Sequence, residues 1–114
     1  MATNMNVSYN EKILIINGNS IEFSHEIRQL EMVKNKLIVL LSIPQNDNTL
    51  DNIYAVTDTA DVLWRVESLV VDYLRLPYEQ MVIHGDEIRA TDFYGRRVFI
   101  SENTGKILKK DIVK

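Results

Sequence analysis

The chain contains no cysteine, and it has no excess of basic residues. The absence of cysteine excludes disulfides, thiolate metal sites and thiol nucleophiles. Because small secreted domains often carry disulfides, this absence also favours a cytoplasmic location. Lys and Arg number 13 against 16 Asp and Glu, which gives a net charge of -3. Nucleic-acid-binding domains usually carry a basic excess that neutralises phosphate, so we expect no nucleic-acid partner.

Long hydrophobic runs and glycine-rich loops are also missing. The longest apolar run, Leu37–Ile43, is far shorter than the ~20 residues of a membrane-spanning helix. Met1–Asn10 lacks the basic-then-apolar order of a signal peptide. The four glycines are isolated, so no phosphate-binding loop is present, and no serine lies in a known nucleophile motif. We therefore expect a soluble protein without membrane contact, metal or cofactor.

The rest of the composition predicts one globular domain. The 114 residues are 46% hydrophobic, which fits a single domain over residues 1–114 with a flexible segment at Met1–Asn10. From Lys12 onward, short apolar runs alternate with turn residues, a pattern typical of strands. The predicted strands are Lys12–Asn17, Ile21–Ser24, Glu26–Val33, Leu37–Ile43, Ile53–Val56, Val62–Glu67, Met81–His84, Glu87–Phe93, Arg97–Ser101 and Ile107–Ile112.

Three local patterns sharpen this prediction. Asn17-Gly18 suits the two positive-φ positions of a type I′ hairpin turn. The alternation of apolar residues slips between Ile27 and Leu30, which predicts a β-bulge. Leu37–Ile43 is continuously apolar, so it should be a central strand that is covered on both faces.

The segment Asp61–Leu76 allows two interpretations. Its apolar residues fall near one helical face, with Asp61 as a cap and Pro77 as a stop. The segment is also rich in valine, which favours strands. We predict a strand followed by a loop and keep the helix as the alternative. On the strand, Trp64 shares a face with apolar neighbours and should lie in the core.

Two stretches of the chain are similar to each other and to a known repeat. Asn52–Glu67 and Val98–Lys109 each comprise a strand, a turn and a second strand, and both resemble the blade repeat of quinoprotein-type (PQQ-like) β-propellers. The matching residues are Ala55, Leu63 and Trp64 in the first stretch and Thr104, Gly105 and Leu108 in the second, with Ala90 and Asp92 on the predicted strand that precedes the second stretch. The sequence departs from the repeat at Thr57, where Asp is usual, at Ala60-Asp61, where Thr-Gly is usual, and at Leu108-Lys109, where Leu-Trp is usual.

The resemblance implies a meander of hairpins. Glu26–Glu67 would form one four-stranded sheet and Met81–Ile112 a second, with Lys12–Ser24 as an additional hairpin. We therefore expect an all-β antiparallel meander of eight to ten short strands, in two packed sheets or a partial propeller. The chain is also similar to small stand-alone bacterial all-β proteins of uncharacterised function.

Acidic residues lie near both histidines of the chain: Glu22 and Glu26 around His25, and Asp86 and Glu87 after His84. A histidine beside carboxylates can act in acid–base catalysis or bind a metal. The sequence therefore allows a small hydrolase that uses His84 with Asp86 or Glu87. The alternative is that these side chains are solvated residues of surface turns, where most acidic residues lie.

The hairpin Tyr94-Gly95-Arg96-Arg97 is the strongest candidate for a binding site. Tyr and Arg are over-represented at interface hot spots because they combine large contact area with directional hydrogen bonds. The leading hypothesis is a non-catalytic protein-interaction domain, such as a bacterial accessory or toxin-neutralising partner. A self-assembling β module that pairs through its sheet edges is an alternative. The candidate binding residues are Tyr73, Arg75, Tyr78, Tyr94, Arg96 and Arg97.

Overall fold

The computed structural model describes residues 5–113 and contains eleven β-strands. The strands are β1 (Val7–Asn10), β2 (Ile13–Ile16), β3 (Asn19–Glu22), β4 (Ile27–Val33), β5 (Lys36–Leu41), β6 (Ile53–Val56), β7 (Val62–Arg65), β8 (Tyr78–His84), β9 (Glu87–Asp92), β10 (Arg96–Ile100) and β11 (Ile107–Ile112). Every strand pair is antiparallel. The predicted all-β antiparallel meander is confirmed.

The strands form three sheets in chain order. β1–β3 form a three-stranded sheet, β4–β7 a four-stranded sheet and β8–β11 a second four-stranded sheet. Both predicted four-stranded meanders are present, and the predicted hairpin gains β1 as a third strand. The prediction of a flexible segment at Met1–Asn10 is wrong for Val7–Asn10, because this strand pairs with β2 along its whole length. Met1–Asn4 lies outside the described residues.

The β4–β7 sheet is the middle layer of the molecule. All six residues of β5 are buried. Alternate side chains of a strand point to opposite faces, so Ile38 and Leu40 pack in the core shared with β8–β11, while Leu37 and Val39 pack in the core shared with β1–β3. The expectation that Leu37–Ile43 contains a central strand covered on both faces is confirmed for β5, Lys36–Leu41.

Turn and bulge positions follow the local sequence. Asn17 and Gly18 adopt φ values of 51° and 84° between β2 and β3. Both positive values fit a type I′ turn, which glycine adopts without a Cβ penalty. The register of β4 against β5 shifts between Ile27 and Gln29, where the bulge was predicted.

The ambiguous segment Asp61–Leu76 is a strand followed by a loop. After β7, residues 66–77 form neither strand nor helix. Trp64 is 8% exposed and lies in the core between the two four-stranded sheets. A Cβ at Gly105 would lie 2.6 Å from the Trp64 ring, so only glycine allows this close approach. The prediction of Trp64 as a core residue is confirmed.

Amide side chains of the middle sheet hydrogen-bond to the backbone of the edge strand β8. Gln29 donates to the Met81 carbonyl over 2.6 Å and accepts from the Met81 N–H over 3.1 Å. Asn52, which is fully buried, donates to the carbonyls of Tyr78 and Leu41 and accepts from the Tyr78 N–H. These bonds satisfy backbone groups that a buried edge would otherwise leave without partners.

Glu102 makes a second polar link between the two four-stranded sheets. Its carboxylate pairs with Lys36 and, over 2.9 Å, with Lys34. Its backbone carbonyl accepts a 2.9 Å hydrogen bond from the Trp64 indole. The hydrogen bonds from Lys34 and Lys36 lower the pKa of the Glu102 carboxyl. Together these contacts fix the turn after β4 and the loop after β10 relative to each other.

No helix that could cross a membrane occurs in residues 5–113.

Candidate interaction surface

Asp92 shapes the turn between β9 and β10. One carboxylate oxygen accepts hydrogen bonds from the backbone N–H groups of Tyr94 (2.9 Å) and Arg96 (3.0 Å). The other accepts a 2.7 Å bond from the Arg96 Nε. An aspartate that binds backbone N–H groups two residues further on is a recurrent turn device. Asp92 therefore fixes both the turn and the Arg96 side chain.

The guanidinium of Arg96 lies against two tyrosine rings. Its Cζ is 4.1 Å from the ring centroid of Tyr73 and 5.4 Å from that of Tyr94. It also donates a 3.1 Å hydrogen bond to the Leu74 carbonyl. Such cation–π contacts are worth about 0.5–1 kcal/mol each at exposed sites. Arg96 thus holds the loop of residues 66–77 against the turn of residues 92–95.

Exposed apolar side chains surround Arg96. Leu74 is 83% exposed, Phe93 76% and Tyr94 67%. The Phe93 and Tyr94 rings contact edge to face at 5.5 Å. Ile112, directly opposite Arg96 on β11, is 64% exposed. We call this surface the Arg96 cluster; its members are Tyr73, Leu74, Phe93, Tyr94, Arg96 and Ile112.

Arg75 and Tyr78 lie beside the Arg96 cluster but form structural contacts. Arg75 pairs with Asp51 over 2.5 Å and donates to the Ser68 hydroxyl. Tyr78 is 5% exposed, and burial raises the pKa of its phenol to about 12. The cavity that these side chains line together with Tyr73 and Arg96 is about 20 Å³. It is large enough for a water molecule and too small for an organic ligand.

Arg97 lies on the opposite face of the sheet from Arg96, because neighbouring residues of a strand alternate. Its guanidinium binds both carboxylate oxygens of Asp111, over 2.8 and 2.7 Å. It also stacks over the Phe99 ring at 4.9 Å, as do Arg89 and Lys109 at 5.2 and 4.4 Å. Arg97 lines an open depression of about 380 Å³ together with Phe93, Gly95 and Val113. The six predicted residues are therefore not one patch: Tyr73, Tyr94 and Arg96 are together, and Arg97 lies on the other face of the sheet. Of the cluster members, only Phe93 borders both surfaces.

The hydrolase hypothesis relied on His84 with Asp86 or Glu87. These residues flank the turn between β8 and β9, and His84 is the cross-strand partner of Glu87. The Glu87 carboxylate is paired with Arg89 over 2.9 Å. Within residues 5–113, no group of three histidine and acidic residues is placed to hold a metal ion.

The other histidine has a partner that the sequence analysis did not identify. His25 Nε2 is 2.8 Å from Asp47, and its Nδ1 is 2.7 Å from the Ser24 hydroxyl. Hydrogen bonds from Thr49 and from His25 lower the pKa of Asp47 to about 2. The sequence pointed to the neighbouring acids Glu22 and Glu26, because the 22-residue separation of His25 and Asp47 gives no local signal.

The apolar members of the Arg96 cluster, Leu74, Phe93 and Ile112, are not among the binding residues predicted from the sequence. Leu74 lies in the predicted loop part of Asp61–Leu76, and Phe93 is the last residue of the predicted strand Glu87–Phe93; large apolar residues are ordinarily expected to be buried. A signal was nonetheless present: Phe93 precedes the Tyr94-Gly95 turn, and a turn residue is usually exposed. The combination of two aromatic residues with a turn could have indicated an exposed aromatic pair.

Comparison with protein families gives one match, over residues 4–112, to a family described as a domain of unknown function, DUF7957. No curated protein and no solved structure matches the chain. The match covers nearly the whole sequence, and the chain belongs to the DUF7957 family.

Proposed function

We propose that this domain binds a protein partner through the Arg96 cluster and is not an enzyme. The observation that carries the proposal is the exposed apolar surface around a fixed arginine. Soluble monomers rarely leave contiguous large apolar side chains in water without a use for them. Here Leu74, Phe93, Tyr94 and Ile112 are each more than half exposed.

The chemistry of the cluster is that of an interface hot spot. Tyr and Arg are enriched at such sites, and rigid aromatic side chains lose little conformational freedom when they bind. The Arg96 guanidinium is already fixed by Asp92, Tyr73 and Tyr94. A partner would thus meet a preorganised surface, which lowers the entropic cost of association.

A protein fits this surface better than a small molecule. Small-molecule sites are concave pockets of about 300–1,000 Å³, whereas the cavity below Tyr73 and Arg96 is about 20 Å³. The larger depression, of about 380 Å³, lies on the Arg97 side of the turn and not below Arg96. The net charge of -3 would favour approach of a basic protein. The proposed role is an accessory or toxin-neutralising protein of a bacterial cytoplasm.

The test compares capture of proteins from a source lysate by three immobilised forms of the domain. Tyr94→Ala removes an exposed aromatic ring from the Arg96 cluster. Leu63→Ala is the matched control, because Leu63 is 52% exposed on β7 and is not part of the cluster. We expect a partner that is retained by the wild type and by Leu63→Ala but is lost with Tyr94→Ala.

The stability of Tyr94→Ala and an activity assay of His84→Ala accompany the capture experiment. Tyr94→Ala should lower the free energy of unfolding by no more than about 1 kcal/mol, the size of the cation–π contact with Arg96 that it removes, so the variant stays folded. If no protein distinguishes Tyr94→Ala from Leu63→Ala, the proposal fails. Turnover in a broad hydrolase substrate panel that His84→Ala abolishes would instead support the enzymatic alternative.

A further inference from the structure

The last strand, β11, is an open edge of its sheet. It pairs with β10 on one side, and no strand of the described chain pairs with its other side. All of its residues except Ile107 are exposed. Open edges of this length present unpaired N–H and C=O groups that can template another strand.

The hydrogen-bond pattern shows which groups point outward. The Val113 N–H donates to the Gly95 carbonyl over 2.8 Å, so these two residues form a hydrogen-bonded pair. Pairs in an antiparallel ladder alternate between bonded and non-bonded. The next pair, Arg96 with Ile112, is therefore non-bonded, as is Val98 with Lys110. Lys110 and Ile112 consequently direct their N–H and C=O groups away from the sheet.

The charge of this edge is basic. Lys109 and Lys110 are both exposed, and neither takes part in an ion pair of the described residues. The neighbouring acid, Asp111, is occupied by its two hydrogen bonds with Arg97. Leu108 and Ile112, each 64% exposed, flank the lysines with apolar surface.

We infer that β11 is a docking edge for an extended, acidic segment of another protein, which adds to the sheet as an antiparallel fifth strand. Its backbone would pair with the outward groups of Lys110 and Ile112, as in other cases of β-strand addition. Carboxylates opposite Lys109 and Lys110 would supply charge complementarity, and apolar residues would lie beside Leu108 and Ile112. The edge shares Ile112 with the Arg96 cluster, but the inference rests on the outward backbone groups and on Lys109 and Lys110, which lie outside the cluster.

A second copy of the chain fits the edge less well. Antiparallel pairing of two β11 strands about Lys110 places the outward backbone groups correctly, but it sets Lys110 directly opposite its counterpart. Pairing about Asp111 also places these groups correctly, but it sets Asp111 directly opposite its counterpart. Like charges directly opposite each other destabilise a strand pair. The remaining possible charge partner, Asp111, is already bound to Arg97. An acidic segment meets neither problem.

The direct test uses a synthetic peptide with capped ends and the core Val-Thr-Glu-Glu-Val, flanked by serines. In antiparallel register its two glutamates lie opposite Lys110 and Lys109, and its valines lie beside Ile112 and Leu108. A matched peptide has Lys-Lys in place of Glu-Glu. We expect the acidic peptide to bind at least about tenfold more tightly, because opposite charges directly across a strand pair stabilise it and like charges destabilise it.

Variants of the chain separate charge from backbone pairing. Lys110→Gln removes the charge and keeps the outward N–H, so it should weaken peptide binding several-fold. Lys110→Pro also removes the N–H, which no strand of the described chain uses, and should abolish binding while the fold remains. Lys106→Gln, at an exposed lysine outside the strands, is the control and should bind as the wild type does.

Amide NMR shifts give the location of binding. The inference requires the largest shifts at Lys110 and Ile112 and slower hydrogen exchange of their amides with peptide bound.

The inference about β11 is overturned if the acidic peptide does not bind at millimolar concentration, or if Lys110→Pro binds it as well as the wild type does. A concentration-dependent dimer that Lys110→Pro abolishes would assign the edge to a second copy instead. If the acidic peptide does not bind but a protein partner is still captured in a Tyr94-dependent way, the inference about β11 is refuted and the proposed function of the Arg96 cluster is not.

Discussion

The two faces of the middle sheet make contacts of different kinds. Toward β1–β3 the contact is mainly apolar, with Leu14, Ile16 and Phe23 packed against Leu37 and Val39. Toward β8–β11 the apolar core is accompanied by polar contacts that cross between the sheets; the residues that provide them are Gln29, Asn52, Trp64, Lys34, Lys36 and Glu102.

The two interfaces differ in how precisely they fix the position of the neighbouring sheet. Apolar contacts are non-directional and tolerate changes of shape if the volume is kept. Buried hydrogen bonds have defined geometry, and losing one partner leaves the other unsatisfied at a cost of about 1–3 kcal/mol. The β8–β11 sheet is therefore fixed in register against the middle sheet, and that sheet carries both proposed binding surfaces.

The largest loss of stability is expected from substitution of Asn52. Asn52→Ala removes the side-chain partners of the Tyr78 N–H and of the carbonyls of Tyr78 and Leu41. We expect the free energy of unfolding to fall by about 4 kcal/mol, because these buried groups lose their hydrogen bonds. Urea unfolding measures the change. Asn48→Ala, at an exposed loop residue, should change it by less than about 0.5 kcal/mol.

The next largest loss of stability is expected in the apolar contact between β1–β3 and the middle sheet. Leu14 is fully buried between β1–β3 and the middle sheet, and Leu14→Ala should cost about 3 kcal/mol through lost burial and a residual cavity. Because β1–β3 contacts only one face, native-state hydrogen exchange should speed up most in that sheet. Equal acceleration throughout β8–β11 would mean that the two faces do not differ as described.

Gly105 tests the close contact with Trp64. Gly105→Ala places a Cβ 2.6 Å from the indole at a φ of 77°, so we expect a loss of about 2–3 kcal/mol from backbone strain and overpacking. Gly18→Ala is the matched control: its φ is 84°, but nothing lies within 4 Å of the added Cβ. Thermal unfolding measures the loss of stability in both variants, and the excess loss in Gly105→Ala is the cost of the clash with Trp64. Equal losses in the two variants would mean that no such clash occurs.

The smallest effect is expected at Glu102. Glu102→Gln should lower the free energy of unfolding by about 1–2 kcal/mol near neutral pH, because Lys36 and Lys34 lose their charged partner. In the folded state, hydrogen bonds from these lysines hold the pKa of the Glu102 carboxyl below its ordinary value of 4.5. This contribution is therefore present above pH 4.5 and disappears as the pH falls through the folded-state pKa. Unfolding curves of wild type and variant should converge in acid; a constant difference would contradict the assignment.

Local patterns were sufficient to predict much of the fold. Asn17-Gly18, the slipped alternation near Ile27 and the apolar run of β5 each depend on neighbouring residues, and all three predictions are confirmed. Val7–Asn10 was missed because its residues are mostly polar and exposed, so its strand depends on pairing with β2.

The candidate surface was only partly predictable. The sequence placed Tyr94, Arg96 and Arg97 on one hairpin, but strand alternation sends Arg97 to the other face. The contact of Tyr73 with Arg96 depends on the path of residues 66–77, for which no periodic pattern exists. The pairing of Asn52 with Tyr78 joins residues 26 apart in the chain and has no sequence signature.

Trp64 is the single tryptophan of the chain, and its position makes it an intrinsic spectroscopic probe. The indole is enclosed between the two four-stranded sheets, with its N–H on the Glu102 carbonyl and its ring against Gly105. Its emission should shift to the red when water enters between these sheets, and it should be insensitive to detachment of β1–β3. Fluorescence compared with far-ultraviolet circular dichroism during unfolding would therefore report whether the three sheets separate together or in sequence.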